Sequence, residues 1–159
     1  MVTVYIASSW RHRHAVDLLA TRIRLMGMEV WSFVENVAGD ERLLHGRTAG
    51  GRVVPGADNF EAWVASEDAD RKFEADLAHA TKSDLVVYLG PAGTDTWAEV
   101  GAAWAAGRPV YGLTAKGEPA GLMRKMVYWC DGVEDLFVKL AAEKASLIRE
   151  NGSDVRGEG

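Results

Sequence analysis

Apolar and polar positions along the chain switch repeatedly between two periods. Val2 to Ala7 is a β-branched and aromatic run that predicts a buried strand. Over residues 13 to 26 the spacing turns helical, with Val16, Leu19, Ile23 and Met26 on one face and Asp17, Arg22 and Arg24 off it. Gly27 predicts the helix stop, and Met28 to Val34 a second strand. Helical spacing returns over 68 to 82 through Phe73, Leu77 and Ala80. Leu85 to Leu89 is a continuous apolar run, which suits a parallel strand covered on both faces. A small-residue helix is predicted from Thr96 to Ala106, stopped by Gly107, and a fourth strand from Pro109 to Leu113. A short helical piece near Leu122 to Lys125 leads to a fifth strand, Val127 to Cys130. The last helix covers Val133 to Arg149, with Val133, Leu136, Phe137, Leu140 and Leu147 as its core stripe.

This alternation predicts an α/β fold: one three-layer domain with a doubly wound parallel sheet, flavodoxin- or Rossmann-like, in strand order 2-1-3-4-5. The domain is expected over 1–150, interrupted by a long Gly-rich, polar loop insertion over 35–67 and followed by a frayed polar tail over 151–159. Ligands of such sheets bind beyond the carboxyl ends of the strands, where the strand order reverses. Here that point lies between strands 1 and 3, where Ala7-Ser8-Ser9-Trp10 meets the segment from Gly90 to Glu99.

Composition narrows the partners. The 159 residues carry 18 Lys and Arg against 23 Asp and Glu, a net charge of −5, which argues against duplex nucleic acid and against anionic membrane surfaces. The single cysteine, Cys130, permits neither an intrachain disulfide nor a cysteine-rich zinc site, and a reducing cytoplasmic home is the default expectation. No apolar run has transmembrane length, and the first residues lack a signal-peptide pattern. No Walker loop, GxSxG elbow or zincin His pair is present, so neither a cofactor nor a metal is expected.

Candidate chemistry concentrates at the predicted switch point. Gly90 and Gly93 permit close backbone approach, Thr94 and Thr96 supply hydroxyls, and the helix that follows offers free N–H groups. Asp95 and Glu99 lie on that helix, and Glu99 has two readings. Thr96-Trp97-Ala98-Glu99 is a capping-box pattern, in which the carboxylate only closes the helix start. Its place at the switch point equally suits a reacting group. Asp76 borders the stripe of its helix, where a carboxylate is costly unless paired or functional. Two carboxylates aimed at one cleft would make a nucleophile and acid/base pair. Tyr5 lies inside strand 1 and suits the core. Ser8 and Ser9 suit either substrate or the capping of the first helix. Trp10 sits on a loop, where it is available to stack on a base, whereas Trp31 suits the core. Arg11, His12, Arg13 and His14 form a short basic cluster that suits a phosphate or a solvated turn.

These residues resemble the nucleoside 2-deoxyribosyltransferase family and its nucleotide N-glycosidase relatives. Three stretches carry the likeness: Thr3 to Trp10; Glu74 to Leu77 with Ser83 to Tyr88; and Gly93 to Ala103 with Gly107 to Val110. The resemblance implies that Glu99 is the nucleophile, Asp76 the acid/base or substrate-orienting carboxylate, and Tyr5 a positioning group. Ser8, Ser9, Trp10, Gly90, Gly93, Thr94 and Asp95 would contact substrate. The implied reaction is cleavage or transfer at the N-glycosidic bond of a nucleoside or nucleoside 5′-monophosphate through a glycosyl ester, with retention at the anomeric carbon. The implied assembly is a homodimer or larger homo-oligomer. The chain departs from the family pattern at Gly93, six positions before Glu99, where many relatives carry a polar or acidic residue. The basic cluster tilts the expectation towards a phosphorylated substrate. Two other classes fit the same residues: a TIR-like NAD glycohydrolase and a non-catalytic nucleotide-binding module.

Overall fold

A computed structural model describes residues 1–36 and 64–154. Most of the expected 35–67 insertion, and the end of the expected tail, lie outside the described residues. Strand β1 (Thr3–Ser8) leads through a short 3₁₀ turn (Trp10–His12) into helix α1 (Arg13–Leu25), then β2 (Glu29–Ser32) and the single turn α2 (Phe33–Asn36). After the undescribed stretch come α3 (Glu67–Lys82), β3 (Leu85–Leu89), α4 (Thr94–Ala105) and β4 (Val110–Leu113). A second 3₁₀ piece (Leu122–Met126), β5 (Tyr128–Cys130) and α5 (Val133–Asp154) complete the order. The five strands pair in parallel in the order β2-β1-β3-β4-β5, as the alternation predicts.

The period of two along each strand divides the core into two layers. Val4 and Ile6 of β1 and Leu85 and Val87 of β3 face the layer built with Val16, Leu19 and Ile23 of α1 and Leu136 and Leu140 of α5. Tyr5, Ala7, Val86 and Tyr88 face the opposite layer, with Ala80 of α3 and Val100 and Ala103 of α4. Gly112 of β4 lies in this second layer, where an added Cβ would come within 2.6 Å of Val127 and 3.2 Å of the Trp129 ring. Gly27 and Gly107 end α1 and α4 at positive φ, the backbone state that favours glycine.

Several predicted stripes shift in the fold. Strand β2 stops at Ser32 rather than Val34, because Phe33 turns helical and packs into the α1 layer. Phe73 and Leu77 are exposed, at 66% and 38%, so they are not the buried face of α3. That helix meets the sheet and α4 through small and polar positions instead: Ala75, Asp76, His79 and Ala80 are all half-buried or buried. Val133, the first residue of α5, is exposed rather than core. Trp104 is exposed as well, on the flank of α4 turned from the sheet. Helix α5 continues past Arg149 to Asp154, as a propagating helix gains one hydrogen bond per added residue.

The start of the sheet is clamped by one carboxylate. Asp84 Oδ2 accepts from the Thr3 amide at 2.7 Å and from Thr3 Oγ1 at 2.9 Å, while the Asp84 amide donates to Thr3 Oγ1 at 3.0 Å. The clamp fixes the β1–β3 register that places Tyr5 beside Val86 and Ala7 beside Tyr88. Asp84→Ala is predicted to destabilise the domain by about 1–3 kcal/mol, the range for a charge-assisted hydrogen bond removed from a semi-buried donor. Equilibrium urea unfolding checks this; an unchanged midpoint would remove the clamp's role.

Candidate active site

Three acidic or phenolic groups converge between α3 and α4 above the face of β1. Tyr5 is fully buried in the middle of that strand, and its hydroxyl rises towards both helices. That hydroxyl faces the Glu99 carboxyl without closing an aligned hydrogen bond. Asp76 sits on the α3 face that packs inward; its Oδ2 accepts from Lys72 Nζ at 2.9 Å, one turn earlier, while its Oδ1 is buried with no partner. Glu99 sits on the flank of α4 turned towards α3. Its neighbour Val100 faces the sheet, which brings its carboxyl to the seam between the helices.

The capping-box reading of Glu99 does not fit this geometry. Helix α4 begins at Thr94 with Gly93 as its N-cap and no side-chain cap, so Thr96 is already inside the helix and Glu99 belongs to the second turn. Thr96 is buried against the sheet. Glu99 therefore closes no helix start, and its burial needs another reason.

Electrostatics at the seam favour the neutral acid. Burial away from water is the largest cause and the Asp76 carboxylate the next; together they push the Glu99 carboxyl up to about 8, against the opposing pull of the Tyr5 hydroxyl and Lys72. Burial likewise raises the Tyr5 phenol far above its ordinary value, with Glu99 and Asp76 adding to the effect. Two side chains that the sequence did not single out as a site complete the floor. His79, one turn below Asp76, stacks on Trp31 with ring centroids 4.5 Å apart and lies 6.2 Å from the Tyr5 ring. Burial lowers the His79 pKa, so its ring is neutral, and its Nδ1 is enclosed without a partner. Trp31, in register with Tyr5, is 39% exposed rather than core. The signal for Lys72 and His79 was the spacing 72, 76, 79, which puts all three on one helical face.

The expected substrate contacts divide. Gly93, Thr94 and Asp95 sit at the N-terminus of α4, exposed, and Asp95 adds to the charge felt by Glu99. Gly90 is tightly packed: an added Cβ would collide with the Glu118 carboxylate and come within 2.6 Å of the Tyr88 hydroxyl. Tyr88 donates to Glu118 Oε1, and Glu118 Oε2 is buried without a partner, a pairing that nothing in the local sequence signals. Ser8 Oγ donates to Leu89 O at 2.7 Å, on the α1 side of β1. Ser9 is the N-cap of the 3₁₀ turn by backbone alone, without a side-chain bond. Trp10 packs on Phe33 at 5.9 Å and on the α1 layer, the opposite side of the sheet from Tyr5. An apolar cavity of about 270 Å³ lies between Trp97 and the 119–126 segment, on the flank of α4 away from Glu99. The carboxylates, not this cavity, combine perturbed charge with unpartnered polar atoms, the features that gather at functional sites. Among the described residues no group of three or more His, Cys, Asp or Glu is placed to hold a metal ion, and no helix is long and apolar enough to cross a membrane.

The chain matches no family model and no curated protein sequence. Its structural neighbours include a 2-deoxyribosyltransferase from Bacillus psychrosaccharolyticus, aligned over 85% of this chain and 90% of that one at 22% identity and a TM-score of 0.57. A CMP N-glycosidase from Clostridium botulinum aligns over 87% of this chain and 97% of that one, at 18% identity and a TM-score of 0.53. Both proteins are of the kind that the sequence stretches resemble, and the likeness establishes a shared fold.

The raised Glu99 pKa carries a stability consequence. The folded state holds this proton more tightly than the unfolded chain. The neutral form's contribution is therefore complete below the ordinary value of 4.5 and is lost as pH rises through about 8. Glu99→Gln is predicted to match the wild type near the lower end of that window and to exceed its stability at the upper end by roughly 1–3 kcal/mol. Denaturant unfolding at both ends of the window tests this, and a variant less stable than wild type at the alkaline end contradicts it.

Proposed function

We propose that this protein cleaves or transfers the N-glycosidic bond of a nucleoside or nucleoside 5′-monophosphate, with Glu99 as nucleophile. One observation carries the reading: a buried phenol and two carboxyl groups, each from a different element, face one another with polar atoms left unpartnered. A fold kept only for stability has no reason to leave the Tyr5 hydroxyl and Asp76 Oδ1 enclosed without an aligned partner. The shared fold of a deoxyribosyltransferase and a CMP N-glycosidase supports the same reading.

The chemistry follows from the charges. Glu99 keeps its proton at neutral pH, and a departing base needs one. As substrate displaces water, that proton passes by way of Asp76 to a ring nitrogen of the base. The ionised Glu99 then attacks C1′ as the C1′–N bond breaks, and the electron pair of that bond leaves with the protonated base. The flattened, cationic sugar lies between two carboxylates, which stabilise it electrostatically. A glycosyl ester on Glu99 results. Water or a second base then attacks C1′, its proton goes to Asp76, and the ester bond opens to restore Glu99. Tyr5 fixes the orientation of the Glu99 carboxyl, and Lys72 holds Asp76 in place.

Incubation with deoxynucleosides and their 5′-monophosphates, with and without an acceptor base, followed by chromatography, tests the activity. Free or exchanged base is expected from wild type, with a loss of at least about 10³-fold in Glu99→Gln. Wild-type turnover in that variant would remove the nucleophile assignment. The active free enzyme carries its proton on Glu99. Hence kcat/KM is expected to hold through neutral pH and to fall as pH rises past about 8. Asp76→Asn removes a charge that raises Glu99, so the alkaline limb is expected to move to lower pH in whatever activity remains.

A further inference from the structure

We infer that Glu118 is a positioning residue of the proposed active site. From the loop between β4 and the second 3₁₀ piece it holds the first turn of α4 through Tyr88, and so sets how Glu99 stands against Asp76. Its effect on turnover rests on the glycosyl-transfer reading above; its effect on the Glu99 proton does not.

Helix α4 has little of its own to lock its roll on the sheet. Its buried residues are Thr96, Val100 and Ala103, all small, with half-buried Gly101 and Ala102 between them. Short side chains make shallow ridges, so a helix seated on them can roll with little loss of packing. Glu99 on one flank would move with such a roll. The other flank carries Trp97, and this is the flank that is tied down. The Trp97 ring lies 4.9 Å from the ring of Tyr88, which is fully buried near the end of β3. The Trp97 indole N–H and the Ala92 amide both face the Tyr88 hydroxyl, which donates its own proton to Glu118 Oε1. One hydroxyl thereby gathers the loop after β3, the first turn of α4 and the loop after β4. Burial first, and then Glu118, push the Tyr88 pKa well up, so the donated proton stays in place. Gly90 leaves the room for this contact: an added Cβ would collide with the Glu118 carboxylate and come within 2.6 Å of the Tyr88 hydroxyl. Glu118 Oε2 is enclosed without a partner. A loop glutamate with no role would keep that oxygen in water by turning outward. From the β1 side His12 Nε2 donates to Pro91 O at 2.8 Å, so the loop that leads into α4 is gripped at both edges.

The test is a carboxyl-selective NMR titration of Glu99, with turnover measured beside it. Glu99 feels Asp76 and Lys72 from α3, Tyr5 from β1 and Asp95 from its own helix. Glu118→Ala frees the roll of α4 and lets water reach the seam. The Glu99 titration is then expected to move down from about 8 by roughly one pH unit. On the glycosyl-transfer reading, kcat falls at least about tenfold while KM stays within about twofold, and the alkaline limb of kcat/KM moves down with the titration. Tyr88→Phe keeps the ring and removes the shared hydroxyl, and the same downward shift is expected. Glu118→Gln keeps an acceptor for Tyr88 and is expected to restore the wild-type titration. A role confined to stability would lower the urea midpoint of Glu118→Ala and leave the Glu99 titration where it was; that result overturns the inference. So does a Glu118→Gln variant that shifts as far as Glu118→Ala, since the effect would then belong to the charge and not to the hold on Tyr88. The expected shift in a protein that releases no base from nucleosides or nucleotides supports the positioning and overturns only the glycosyl-transfer reading.

Discussion

A carboxyl group taken out of water beside a second carboxyl group is the constraint around which this molecule is organised. Between α3 and α4 the charge on Glu99 would lose its hydration and meet the Asp76 carboxylate, so its proton is held. The surrounding residues are consistent with that need. Tyr5 stands beneath them at the centre of the sheet, Lys72 pairs with one, and neutral His79 closes the floor with Trp31. The small residues on the inner face of α3 let that helix approach α4 closely enough for the side chains to meet. Phe73 and Leu77 face outward because Ala75, Asp76, His79 and Ala80 hold the inner positions of the helix.

How much of this was legible in the sequence depended on whether the signal was periodic or positional. The strands were readable because a parallel sheet covered on both faces demands apolar runs such as Leu85 to Leu89, and the parallel order follows from strand–helix alternation. Glu99 and Asp76 were readable as candidates because carboxylates at the switch point and at the edge of a stripe are out of place in a core. The capping-box pattern around Glu99 misled, since Thr96-Trp97-Ala98-Glu99 fits a helix start that lies two residues earlier, at Thr94. Contacts across the fold had no local signal. Ser8 bonding to Leu89, His12 to Pro91 and Tyr88 to Glu118 all join segments distant in sequence. The places of Trp10 and Trp31 had no local signal either: the strand register puts Trp31 beside Tyr5, and Trp10 packs on Phe33 at the other side of the sheet.

The neighbouring structures share the scaffold at identities where little else is fixed. A doubly wound sheet supplies a crevice and the helix and strand ends that surround it; the reaction depends on the side chains placed there. Gly93 illustrates the point. An added Cβ at this position would meet nothing within 4 Å, so neither space nor backbone conformation requires glycine. Gly93 caps the N-terminus of α4, where a side chain would add a group at the sheet end without any cost to packing.

Charge then links stability to the proposed chemistry in one argument. A site that stabilises a cationic sugar must hold negative charge, and negative charge held out of water destabilises the fold above the point where Glu99 loses its proton. On the glycosyl-transfer reading proposed above, a neutral sugar gains from that charge only as it turns cationic, in the transition state, which is where the gain accelerates reaction. The instability that the carboxyl pair brings to the fold is then the counterpart of the stabilisation it would give to an oxocarbenium ion.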